Sequence, residues 1–422
     1  MNKTGTLGTW QGAGLLATTL LGTSVFILPQ MTIDIAGQHA IWAWSLLTLS
    51  ILPIALIFAR LCAKYPHAGG PANFVELAFG KVKGQALGLS FLLVVPIGAP
   101  AALIMTYQFV DGLMMFNENI ALLIQYGFIF SIYLLNIRGV SLAASIQLLL
   151  TLLIVIVVVA LLLRYFMSFD AASHQSILHI QSHIEDKTVL SILPAAGLAF
   201  WSFLGIEAMA HLSTEFKNPK KNMTPAIIIA TIVVGLIYVA CTFLITHVPT
   251  SSNLAIVEVF NTLMGSGGHI IIGILGIAGG LATVNVYTAS CCKLMQSLSN
   301  QKLLLSAYSR QNSNGVANVA LKHLTMIMLV VLTVSHIFSL DLEILVGLCN
   351  GVFVLIYAVS MISAIKLLPR KYLSLIVVGL AVCIVLAVSL AWKMIYALLL
   401  LMMLLPIVKA KYVKHLSHES AQ

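Results

Sequence analysis

The chain has 422 residues, 60% of them hydrophobic and only 8% charged, with a formal net charge of +9. Soluble globular domains carry about 25% charged residues, so a water-exposed globule is excluded. The basic excess is not a nucleic-acid footprint either, because lysines and arginines fall in short clusters between apolar runs: Lys64, Lys81 and Lys83; Lys217, Lys220 and Lys221; Lys366, Arg370 and Lys371.

An apolar run of about 20 residues crosses the hydrocarbon layer as a helix, which satisfies its own backbone groups there. Twelve such runs are predicted, at approximately 12–36, 40–63, 86–115, 120–136, 143–165, 190–213, 225–247, 269–299, 322–339, 342–366, 372–390 and 392–408. None shows the ten-residue alternation of a membrane barrel. No small-residue cleavage site follows the first run, so it is read as a retained span. With both termini in the cytoplasm, only Arg164, Lys187 and Lys393 of the 22 Lys and Arg residues fall on the far side, and that asymmetry sets the orientation.

Span one reads "GLLATTLLGTSVFILPQM", with Gly22, Thr23 and Ser24 near mid-membrane and Pro29 after them. In a helix interior Gly costs about 1 kcal/mol and Pro about 3 relative to Ala. The long connection after span five holds "SHQSILHIQSHIED". Its His174, His179 and His183 with Glu185 and Asp186 could form a zinc set if helical, but read best as a solvated polar loop. Span six repeats the interruption as "WSFLGIEAM", with Ser202, Gly205 and Glu207 close together. The six cysteines lie in or at the ends of apolar runs without a C-x-x-C pair and read as small packing residues. No metal or cofactor is called for.

Interruptions in spans one and six fall at corresponding places in two sets of five. Paired interrupted spans point to a transporter site between inverted repeats. The expected division is 12–165 for the first repeat, 190–366 for the second and 372–408 for two additional helices, all in one membrane domain. Unwound backbone at depth is tolerated only where it lines a cavity. Half-helix amino ends attract a carboxylate and exposed carbonyls accept from an ammonium, so the pair of breaks suits an α-amino acid. Glu207 is the one acidic residue well inside a span. It either supports the break, carries a coupling proton, or packs as a neutral carboxyl.

"GTSVFILP", "KYPHAGGPANFVELAFG" and "FWSFLGIEAMAHLSTEFKNPKKNMTPAI" together resemble the amino acid–polyamine–organocation superfamily of transporters. The resemblance runs over essentially the whole chain. It implies an all-α membrane protein with a 5+5 inverted repeat, helices 1 and 6 broken, and two extra carboxyl-terminal helices. "AGG" before span three and "HL-x-x-EFKNP" after span six are most similar to the bacterial branch that exports L-methionine and branched-chain amino acids. That similarity implies a cytoplasmic (inner) membrane location and proton-coupled antiport of a small amino acid, with no enzymatic activity; a homodimeric state stays open.

Residue by residue, the resemblance implies that Gly22, Thr23 and Ser24 offer backbone amides and a hydroxyl to the substrate carboxylate. Trp201, Ser202, Phe203 and Leu204 would supply carbonyls and apolar surface, Gly205 close backbone approach, and Glu207 the motif acid. Gly98 and Ala99 in span three and Asn285 in span eight would face them. Ser24 departs from the family's usual third glycine and narrows the approach.

No second acid is placed to meet a cationic side chain, so Met, Leu, Ile or Val is favoured. A channel would need a continuous polar lining, and an intramembrane enzyme a buried catalytic pair; neither pattern is present. A membrane sensor without transport remains as the competing class, separable by flux.

Overall fold

The computed structural model describes residues 6–22, 24–114, 116–138, 144–168, 187–248, 250 and 254–419. Thr23 and the loop histidines His174, His179 and His183, with Glu185 and Asp186, lie outside the described residues. The described chain is helical. It has no strand, only one isolated bridge that pairs Leu7 with Phe216.

The first expected span is two helices, α1 (Thr9–Leu21) and α2 (Leu28–Ala36). Gly37, at φ 54, then turns the chain into α3 (Ala40–Lys64). A short α4 (Pro71–Phe79) starts on Pro71, whose fixed φ and missing N–H suit a first helical position. It leads into α5 (Lys81–Asp111). Helix α6 (Glu118–Ile137) is capped by Asn117, whose side chain accepts from Ile120 N. Helix α7 (Ala144–Met167) follows.

The sixth expected span is α8 (Ile192–Ala199), a 3-10 turn over Phe200–Phe203, and α9 (Ile206–His211). Asn218 caps α10 (Pro219–His247), which is followed by α11 (Ala255–Met264) and α12 (Gly268–Asn300). Then come α13 (Asn318–Ile337), α14 (Leu342–Leu367), α15 (Leu373–Leu390) and α16 (Lys393–Glu419).

Among the described residues eleven helical stretches are long and apolar enough to cross a membrane, against twelve expected. The difference lies at the amino end. Helix α1, at 13 residues, is too short by itself, and the stretch that qualifies there runs from Leu28 to Lys64. Helices α4 and α11, read from the sequence only as connections, are further additions.

Burial sorts the helices. Helices α5, α12 and α14 lie mostly inside, whereas α6, α7, α15 and α16 are mostly exposed. Leu149, Ile156, Val385 and Val388 are among their outward residues, as lipid contact requires. Helix α1 is wedged against α7, α10 and α12, while α9 packs on α3 and α12.

Candidate functional site

A cavity lies where the two interrupted segments meet. Thr19, Leu20 and Ser24 line it from the end of α1 and the turn after it, and Trp201 and Leu204 from the turn before α9. Val95, Gly98, Ala99 and Ala102 come from α5, Thr283, Val284 and Tyr287 from α12, and Phe353 from α14. None of the lining residues is charged.

A helix that stops inside a membrane leaves its last carbonyls without partners, and lipid supplies none. At α1 two neighbours donate instead. Thr283 Oγ1 lies 3.1 Å from Thr19 O, and Tyr238 Oη donates to Leu20 O at 3.0 Å while contacting Ser24 Oγ at 2.6 Å. At α8 the partners are on α14: Asn350 Nδ2 donates to Gly197 O at 2.8 Å, and Tyr357 Oη, with one proton to give, lies 3.1 Å from Phe203 O. These polar residues, isolated in apolar helices, stabilise the interruptions.

The turn after α1 is itself hydrogen-bonded. Gly22 N donates to Thr18 O, and Ser24 N and Val25 N both donate to Leu21 O. The expectation of free amides at Gly22 and Ser24 is therefore not what this conformation holds, because a tight turn satisfies them locally. Gly22 is a packing position: a Cβ there would lie 2.2 Å from Gly279 O and 2.4 Å from Thr283 Oγ1.

At the second interruption Leu204 is extended and Gly205 has φ 139, a conformation that L side chains rarely adopt. Glu207 falls in the first turn of α9, as the sequence suggests, and is fully buried. Gly205 N donates to its Oε2 at 3.0 Å and Tyr287 Oη to its Oε1 at 2.7 Å, and Tyr357 Oη also donates to Oε2. The carboxyl group thus joins α9 to α12 and α14.

Of the residues expected at the site, Ser24, Gly98, Ala99, Trp201 and Leu204 are on the cavity wall. The Trp201 ring lies over Gly98, so that a Cβ at Gly98 would be 3.6 Å from it. Ser202, Phe203 and Gly205 support the wall from behind, and the Trp201 carbonyl accepts from Leu204 N at 3.1 Å. Asn285 is elsewhere: its Oδ1 accepts from Asn136 Nδ2 of α6 at 2.7 Å, so α12 presents Thr283, Val284 and Tyr287 instead.

Sequence reasoning missed Tyr238, Tyr287, Asn350 and Tyr357, and also Pro96 and Pro100. The two prolines are spaced by four inside α5 and deprive the Leu92 and Pro96 carbonyls of their helical partners beside the cavity. That pair was a readable signal; a single tyrosine in an apolar helix is not.

Comparison with known proteins comes from two directions. A family model described as amino acid permease matches residues 7–409. The L-methionine/branched-chain amino acid exporter YjeH of Escherichia coli K12 is 33% identical over 402 residues, covering 94% of each chain. An uncharacterised amino acid permease, YecA of Bacillus subtilis, is 25% identical over 379 residues, 86% of this chain and 85% of its own. The cadaverine/lysine antiporter of E. coli K12 is 25% identical over 304 residues, 69% of this chain and 64% of its own.

Proposed function

The chain belongs to the amino acid permease family, multi-pass membrane transporters and not enzymes, and from that premise we propose that it exports L-methionine, leucine, isoleucine and valine in exchange for protons. The observation that carries this is the uncharged, mainly apolar cavity held between two interrupted helices. An apolar side chain is accepted by Val95, Ala99, Ala102 and Phe353, whereas cadaverine or lysine would bring a distal charge to a wall without a counter-ion. The full-length relative in E. coli is named for methionine and branched-chain substrates, which agrees with this wall.

The α-ammonium group lies toward the carboxyl ends of α1 and α8, and the carboxylate toward the amino ends of α2 and α9, as helix dipoles favour. Counted with α1–α2 as the first span and α8–α9 as the sixth, twelve spans form two inverted halves, 12–165 and 190–366, with 372–408 appended. Both termini are cytoplasmic, and the protein works in the inner membrane. Transport is alternating access: the halves rock around the breaks and open the cavity first to one side and then to the other. Ser24, between α1 and α2, receives the carboxylate through its hydroxyl.

Glu207 is the coupling group. As a carboxylate it accepts from Gly205 N, Tyr287 and Tyr357 together. Once protonated it has one O–H to donate, so the bond with Tyr357 reverses, Glu207 donating to Tyr357 Oη and Tyr357 Oη to Phe203 O. Protonation thereby rearranges the bonds that hold α9 to α14.

The test is methionine efflux from cells loaded with a methionine-containing dipeptide. Wild type is expected to export faster than cells with empty vector, with a rate that rises as external pH falls. Glu207→Gln is expected to lose that pH dependence. Equal efflux from wild-type and empty-vector cells overturns methionine export. Unchanged pH dependence in Glu207→Gln overturns proton coupling through this carboxyl group.

A further inference from the structure

Four residues beyond Glu207 on α9 stands His211, whose role neither the cavity nor the interruptions explain. Positions spaced by four on a helix are neighbours on one face, with Cβ atoms about 5–6 Å apart. The His211 ring is 1% exposed. Its Nδ1 is 2.8 Å from Ala68 O in the loop between α3 and α4. A neutral imidazole donating there from Nδ1 presents a lone pair on Nε2. That Nε2 is buried and has no hydrogen-bond partner among the described residues.

The loop is shaped around this ring. Gly70 has φ 55, and a Cβ on it would lie 2.5 to 2.8 Å from three ring atoms of His211. His211 also lines a small cavity with Gly69, Ala72, Phe91 and Leu294. Through Gly69, Ala72 and Leu294 that cavity adjoins a second, polar one lined by His67, Glu76, Gln85 and Gln301. The polar cavity is also lined by Gly84, in the first turn of α5 that begins at Lys81.

We propose that His211 is the carrier that takes the coupling proton from Glu207 and delivers it to the polar vestibule between α4, α5 and α12. This rests on the proton-coupled reading of Glu207. The step is proton transfer only. Glu207 gives its proton to water, which protonates His211 Nε2 and forms an imidazolium still bonded through Nδ1 to Ala68 O. When the loop parts from α9, Nε2–H gives the proton to vestibule water and neutral imidazole returns.

Two titratable groups face the ring, His67 from the loop and Lys293 from α12, the latter paired with Glu215 at 2.5 Å, and the positive lysine keeps any charge on the imidazole short-lived. Glu76 of α4 lies in the adjoining cavity, while α5 and α14 offer only apolar Leu87, Phe91 and Ile356.

The alternative is that His211 merely holds the Ala68 carbonyl, and His211→Asn separates the two. An asparagine amide can still donate to Ala68 O but has no group at the place of Nε2. Purified full-length protein in liposomes gives two readouts: methionine accumulation driven by a pH gradient, and methionine–methionine exchange at equal pH. His211→Asn is expected to keep exchange within about twofold of wild type while losing gradient-driven accumulation by at least about tenfold.

Gradient-driven accumulation at the wild-type rate in His211→Asn overturns the relay. So does parallel loss of accumulation and exchange in both His211→Asn and His211→Gln, which marks a structural residue. Wild-type protein that exchanges but never responds to the gradient overturns proton coupling itself, and the relay with it.

Discussion

Between Leu21 and Leu28 no described residue takes a positive φ, and the turn is held by bonds from Ser24 N and Val25 N to one carbonyl. Between Ala199 and Ile206 the chain runs through a 3-10 turn, an extended Leu204 and Gly205 at φ 139. Both segments contain a glycine, for opposite reasons. Gly22 gives room for α12, whose Gly279 carbonyl would be 2.2 Å from a Cβ, whereas Gly205 supplies a dihedral. The first interruption is thus a packing joint and the second a hinge that also carries an acid. A motif that reads alike twice in sequence does two physical jobs.

The strongest attempt to break this contrast is alanine at each glycine. Gly22→Ala sets a methyl group against backbone that cannot yield, so α1 must leave α12. Folded, monodisperse protein in detergent is expected to be nearly lost. At Gly205→Ala the nearest atom is Leu20 Cδ2 at 2.9 Å, the end of a side chain that can move, and the cost is mainly backbone strain of about 1–3 kcal/mol. That variant is expected to fold with a lowered Tm and to lose export. Size-exclusion profiles and thermal unfolding read both. Gly279→Ala should behave like Gly22→Ala, since its Cβ would lie 2.9 Å from Gly22 Cα. A monodisperse Gly22→Ala with wild-type Tm would show that the joint is not tight.

A smaller effect sharpens the comparison. Tyr238→Phe removes the donor to Leu20 O at the first interruption, and Tyr357→Phe the hydroxyl that lies between Phe203 O and Glu207 Oε2 at the second. Leaving a buried carbonyl unpaired costs about 1–3 kcal/mol, so the two variants should lose similar amounts in thermal unfolding. They part on function, because Tyr357 also donates to Glu207 and Tyr238 does not. Only Tyr357→Phe is expected to shift the pH dependence of export. Equal shifts in both variants would mean that the acid senses the first interruption as well as the second.

The order of legibility follows from how far each feature reaches along the chain. Gly205, Glu207 and the first-turn position of the acid lie within three residues, so "LGIEA" alone suggests them. The families of long apolar helices were equally open, because composition over about 20 residues decides them. The donors to the interruptions come from α10, α12 and α14, distant in sequence, and nothing local tells a tyrosine that caps a broken helix from one that packs.

Asn285 illustrates a different loss. At about 100° per residue, a two-residue slip turns a side chain by about 200°. Thr283 and Tyr287, spaced by four, share the cavity face, and Asn285 between them faces away, toward Asn136. Span eight was placed correctly along the chain, but its rotation was not readable without its neighbours.

Ser24 is where the joint touches the cavity, and Ser24→Gly is the mildest probe of the contrast. The hydroxyl lies 2.6 Å from Tyr238 Oη, yet Tyr238 keeps its bond to Leu20 O when the serine is gone. Added backbone freedom costs about 0.5–1 kcal/mol, so Tm should fall by only a few degrees. The side chain also leaves the wall and widens the space next to Thr19 and Leu20. Selectivity for leucine over valine, read by competition against labelled methionine, should then rise by about threefold, inside the range that one methylene group commands in an apolar pocket. An unchanged ratio with lowered Tm would make Ser24 a strut for Tyr238 alone. Selectivity would then reside in α5, α14 and the hinge side of the cavity, and the joint would have no part in choosing the substrate.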